Sequence, residues 1–210
     1  MEDAMQRMSK FLVLALATTV LAVLAYETYE VAAARNVTKE KFAKYEAETA
    51  NGTNGPSVLS QERQDILVKV QDPRFWSHSG VDWSYPLSTT VTQSVVKKLY
   101  FEDFRPGFGK IKQTLIAYFA VAPLSSKNAQ LAAFLDVNGF EALSAKWFGK
   151  PLQSLSDEEF LSLIATNNTP KIAPGTKENG ERVARIKKYL AGKCERRGLS
   201  DVWLDQCAAS

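Results

Sequence analysis

The hydrophobic pattern of the chain changes character three times. From Phe11 to Tyr26 it is an unbroken apolar run without a charge, preceded by Arg7 and Lys10. A run of this kind approaches the ~20 residues a helix needs to cross a bilayer, so it predicts a membrane anchor. Ala32-Ala33-Ala34 would also satisfy a small-residue cleavage rule, which leaves a removed signal peptide as the alternative. From Val37 to Ala50 the chain is charged and reads as a helix in which Phe42 and Tyr45 touch one surface. Asn51-Gly52-Thr53-Asn54-Gly55-Pro56 then predicts a break.

From Ser60 onward, apolar residues recur at helical spacing. Ile66, Leu67 and Val70 share a face, and Ser156 with Glu159 forms a capping-box pattern ahead of Phe160, Leu161 and Ile164. Further helices are predicted near 89–101, 109–121, 127–136, 140–147 and 179–191. The β-branched cluster Thr89-Thr90-Val91-Thr92 would favour a strand by propensity alone. Periodicity argues otherwise: Val91, Val95, Val96 and Leu99 fall on one side of a helix, while Thr89, Gln93 and Lys97 recur every four residues on another. The expected fold is mainly α. Its expected divisions are an anchor or signal segment (1–35), a juxtamembrane helix and linker (36–60), a helical domain (61–192) and a C-terminal tail (193–210).

Composition adds limits. With 45% hydrophobic and 23% charged residues over 210 positions, the chain can bury a domain core and is not disordered throughout. A formal charge of +3 is too small to imply a nucleic-acid partner, whereas a pI near 8.8 suits work beside anionic lipid headgroups. Cys194 and Cys207 lack the neighbouring ligands of a zinc site. They predict a disulfide if the chain is exported and two inert thiols if it is not. Arg35, Lys39, Lys41 and Lys44 follow the apolar run and oppose a cytoplasmic N-terminus by count. Long C-terminal domains translocate largely regardless of such charges, and Glu27 and Glu30 lie nearest that flank, so the domain is placed outside the cytoplasmic membrane.

Several segments carry a resemblance. Gln71-Asp72-Pro73-Arg74-Phe75-Trp76-Ser77-His78-Ser79-Gly80-Val81-Asp82 follows the pattern E-D-x-x-F-x-x-H-x-G-x-D except at its first position. Leu87 to Lys98 resembles G-G-S-T-I-T-Q-Q-L-V-K-N, retaining Gln93 and Lys97. Lys110-Ile111-Lys112-Gln113 resembles a third motif that ends in glutamate, with Arg105 eight residues before that position. Ser126 to Asp136, Ala145 to Lys150 and Leu155 to Glu159 follow in order. Together, from about 64 to 190, these resemble the family 51 peptidoglycan glycosyltransferases, with glutamine at both positions where that family carries its catalytic glutamates. The chain is shortened between the first and second motifs and ahead of Ala145.

The resemblance implies a lysozyme-like helical domain on the outer face of a bacterial cytoplasmic membrane, held by a single span. It implies a lipid-linked peptidoglycan precursor as ligand, the membrane and other cell-wall synthesis proteins as partners, and a divalent cation, Mg or Mn, as a possible cofactor. In the family one glutamate acts as base and the other assists the departing diphosphate. Those positions are Gln71 and Gln113 here, while Asp72, Thr89, Gln93, Lys97 and Arg105 are the expected substrate-binding residues. A carboxamide has no useful basicity near neutral pH. Losing a positioned base typically costs ~10²–10⁴-fold in rate. Two functions therefore compete: a transferase using another base, and a binding module that holds a lipid diphosphate without turnover.

Overall fold

The computed structural model describes residues 2–52, 58–85, 88–167, 172–197, 201 and 203–208. Among these the expectation of a mainly helical fold holds, and no strand occurs. The order is α1 (Glu2–Asn51), α2 (Gln61–Gln71), α3 (Val91–Leu99), α4 (Phe108–Ile116), a π-helical turn (Ala117–Val121), α5 (Ala122–Leu124), α6 (Lys127–Val137), α7 (Phe140–Phe148), α8 (Asp157–Thr166) and α9 (Lys177–Leu190). The expected break at 51–56 lies mostly outside the described residues.

The apolar run and the charged segment after it form one continuous helix, α1, of 50 residues. At 1.5 Å per residue it is about 75 Å long. Its first half could cross a membrane, and no part of the apolar window is buried against protein. Its second half turns Ala34, Thr38, Phe42 and Tyr45 inward at spacings of three and four, which places one stripe of the helix in the core. That stripe crosses α6. Glu46 accepts hydrogen bonds from the Ser126 amide and hydroxyl ahead of α6, while Lys44 and Tyr45 donate to Asp136 near its other end.

α6 is the central helix. Leu131, Phe134 and Leu135 are buried with Ala129, Ala132 and Ala133, whose small side chains let α1 and α3 approach closely. In α3 the helical pattern prevails over strand propensity because Val91, Val95 and Val96 bury together, and because Thr90 and Gln93 complete a reciprocal capping box at its start.

Two backbone details fix the surroundings of the site. Gly80 has φ of +81°, and a Cβ there would lie 2.5 Å from the carbonyl oxygen of Ala117, so the segment can approach the π turn only as glycine. Pro123 supplies no N–H one turn beyond Phe119, whose carbonyl instead accepts from the Arg35 guanidinium of α1. At the C-terminus Cys194 and Cys207 are joined as a disulfide, with Leu204 and Cys207 buried.

Candidate functional site

A cavity of about 980 Å³ opens between the end of α2, the polar edge of α3, the start of α4, and helices α6 to α8. Its apolar side is formed by residues such as Phe134, Phe140 and Leu163, with Trp147 at a more exposed position. Its charged residues are all of one sign: Lys97, Lys98, Lys110 and Lys146, with no aspartate or glutamate among the described lining residues. Such a wall attracts anions and offers no carboxylate for proton transfer.

Gln71, Thr89, Lys97 and Gln113 all line this cavity. Gln71 is the last residue of α2, and its Nε2 is buried without a hydrogen-bond partner. Gln113, on α4, is 1% exposed. Its Nε2 donates to the backbone carbonyl of Gln93 at 2.5 Å, and its Oε1 is buried without a partner. An ionised glutamate could not make that donation.

Three other expected binding residues sit elsewhere. The Asp72 carboxylate is fully buried, accepting from Nε2 of His78 at 2.9 Å and from the Val91 amide at the start of α3 at 3.0 Å. This negative charge at a helix N-terminus locks α2 to α3, and thereby sets Gln71 beside the polar edge of α3. Gln93 is equally enclosed. Its Oε1 accepts from the Thr90 amide in the capping box, and its Nε2 donates to the Thr114 hydroxyl across to α4. Arg105 lies in the loop before α4, exposed and paired with Asp103, while Phe104, Pro106 and Gly107 beside it line the cavity. Asp72 and Gln93 therefore position the site from behind, and Arg105 stands outside it.

The lysines supply the charge of the cavity. Lys110 is one turn before Gln113 on α4, and its Nζ donates to the Thr89 hydroxyl at 3.0 Å and to the Ser88 carbonyl at 3.3 Å. Burial, then the nearby Lys97 ammonium, holds its pKa below the ordinary lysine value. Lys97 lies over the Phe104 ring at 4.8 Å. Lys146 lies over Trp147 at 5.0 Å. The i, i+3 spacing of Lys110 and Gln113 was a signal for a shared face. Lys98 and Lys146 stand in segments that the resemblance covers, but neither was an expected binding residue, and tertiary packing brings them to the cavity.

A divalent cation does not suit these residues. Mg²⁺ and Mn²⁺ take hard oxygen donors, usually including carboxylates. The cavity offers amide and hydroxyl oxygens among four ammonium groups, and no cluster of three or more His, Cys, Asp or Glu able to hold a metal occurs among the described residues.

No family model matches the chain. It is similar to a biosynthetic peptidoglycan transglycosylase of Nitrosomonas eutropha, with 24% identity over 135 residues, covering 54% of this chain and 55% of that protein. The chain thus spans about half the length of the curated relative it matches. The similarity connects this chain to a protein of peptidoglycan synthesis.

Proposed function

We propose that this chain is a transglycosylase-like protein of cell-wall synthesis that holds a lipid-linked sugar diphosphate in the lysine-lined cavity and does not polymerise glycan. The observation that carries this reading is the charge of the cavity, with four lysines and no carboxylate among its described lining residues. A diphosphate spreads its charge over several oxygens, and charge-assisted hydrogen bonds from ammonium groups suit it. Glycosyl transfer needs, in addition, a base at the attacking hydroxyl. Gln71 and Gln113 cannot serve, and Asp72 is turned away into bonds with His78 and Val91.

The surroundings agree with a ligand drawn from a bilayer. Phe108 and Ile111 are exposed on α4, beside cavity-lining Gly107 and Lys110. α4 is tied to α1 through Lys112 and Glu30, just past the apolar run. A polyprenyl chain could remain in lipid while its diphosphate enters among the lysines.

The test has two arms on the full chain in detergent or nanodiscs. Incubated with fluorescent lipid-linked disaccharide-pentapeptide, the protein is expected to yield no polymer. Lys97→Ala and Lys110→Ala are each expected to weaken binding about tenfold, the ~1.4 kcal/mol equivalent of losing one charge-assisted contact. Polymer formation by the unmodified chain overturns the non-catalytic reading, and lysine variants with unchanged affinity overturn the assignment of the cavity.

A further inference from the structure

A second cavity, of about 410 Å³, lies where the end of α9 and the segment after it meet the last turn of α2 and the loop beyond. Cys194 lines it, while Cys207, to which Cys194 is bonded, is 0% exposed and packed in the core with Leu204. Three cations line the cavity, Lys69, Arg74 and Arg196, against two acids, Glu195 and Asp82. Asp82 is already paired, 3.6 Å from the Arg74 guanidinium. A thiolate is the nucleophile that opens a disulfide, and an excess of cations favours it over the thiol. Access then selects Cys194 as the sulfur attacked, because Cys207 is enclosed.

Arg196 stands two residues beyond Cys194, and its Nη1 donates to the Val70 carbonyl at 2.7 Å. Val70 is in the last turn of α2, where carbonyls run out of partners within the helix. A guanidinium there satisfies one of them and complements the negative end of the helix dipole. The next residue, Gln71, lines the lysine cavity. Through Cys207 the disulfide ties the segment that carries Arg196 to the core, and so keeps Arg196 on the helix end that forms part of that cavity.

We infer that the Cys194–Cys207 bond is a reducible lock on the lysine cavity, opened by a dithiol that enters the smaller cavity. One thiolate of the dithiol attacks Cys194 Sγ; a new sulfur–sulfur bond forms as the bond to Cys207 breaks, and Cys207 leaves with the electron pair and takes a proton. The second thiol of the dithiol, as its thiolate, then attacks the first sulfur and displaces Cys194, which takes a proton in turn. The protein gains two electrons and two protons, and the dithiol becomes a disulfide. Arg196, untied from the core, leaves Val70, and the end of α2 loosens beside Gln71. The consequence for a ligand rests on the anion-binding reading above: the oxidised chain holds a polyprenyl diphosphate more tightly than the reduced one.

The experiment uses the full chain in nanodiscs, with and without dithiothreitol. Hydrogen–deuterium exchange needs no ligand and reads the lock itself. Reduction should speed exchange across residues 68–75 about tenfold, as for the loss of one hydrogen bond to a charged group, while α8 keeps its protection. Polyprenyl diphosphate should bind the reduced chain about three- to tenfold more weakly. Arg196→Gln should show the weaker binding in both redox states. The Cys194→Ala/Cys207→Ala chain should behave as the reduced protein without dithiothreitol, which separates the lock from an effect of the reagent. A bond that dithiothreitol opens only when the fold is lost, unchanged exchange at 68–75, or equal acceleration in every helix overturns the inference; in the last case the disulfide stabilises the whole domain and locks nothing in particular. Faster exchange with unchanged affinity overturns the link to the lysine cavity. Failure of both redox states to bind the probe removes the anion site, and the exchange result still decides the lock.

Discussion

At the scale of single residues, the interior shows which polar groups are balanced and which are held at a cost. Asp72 and Gln93 are balanced: each polar side chain is buried with partners that join two elements. Lys127 is not. It begins α6, where its charge opposes the helix dipole, and its Nζ lies over the Phe75 ring at 4.3 Å without a hydrogen-bond partner. Burial pushes its pKa down to about 8, against a smaller pull upward from Asp72. A lysine depressed in the folded state but ordinary in the unfolded chain lowers stability below pH 8, and the deficit disappears as pH rises from about 8 toward the ~10.4 of the unfolded residue. After discounting for partial exposure, Lys127→Met should stabilise the domain by about 1–2 kcal/mol at pH 7. Urea denaturation at pH 7 and pH 10 checks this: the gain should be present at the first and nearly gone at the second. An equal gain at both would show that packing, not charge, is responsible.

At the scale of elements, α1 joins two environments in one helix. Its apolar run is not buried against protein, while its later turns are part of the core through Ala34, Phe42 and Tyr45. Phe42 is 1% exposed and meets Tyr45 edge-on at 5.9 Å. Phe42→Ala should therefore cost about 3–5 kcal/mol, as for a fully enclosed aromatic side chain. Melting of a soluble form beginning at residue 32 would show it; a shift of only a degree or two would mean that α1 merely rests on the domain. The helices themselves were legible because local rules suffice for them: the face of α3 and the capping box of α8 are both written within a few positions. The continuity of α1 was less so, because its apolar and charged halves have different partners and read as separate segments. The site was legible to the same extent. Gln71, Thr89, Lys97 and Gln113 stand in recognisable segments and do meet. Asp72, Gln93 and Arg105 have suitable chemistry, but sequence gives a residue's bonding capacity without naming the partner that takes it up. Lys98 belongs to α3 and Lys146 to α7, with three helices between them in the chain, and only packing brings them to one wall.

At the scale of the whole molecule, the disulfide and the apolar helix bear on one question, the side of the membrane on which the domain folds. Cys194 and Cys207 are 13 positions apart, and closing a loop of that length stabilises by about 3 kcal/mol in the chain-entropy account. The bond also holds the tail near Arg196, whose guanidinium donates to the Val70 carbonyl at the end of α2, one residue before Gln71. A disulfide of this kind persists in an oxidising compartment and not in the cytosol. If α1 directs the domain outward, both sulfurs of the membrane-bound chain should resist alkylation by a maleimide–polyethylene glycol until a reductant is added. A form lacking residues 1–31 and made in the cytosol should react at both without reductant. A gel-shift assay on the two forms reads this directly. Ready alkylation of the intact, membrane-bound chain would place the domain on the reducing side, away from any outward-facing glycolipid, and would remove the outer-face placement while leaving the lysine cavity open to a cytosolic phosphate.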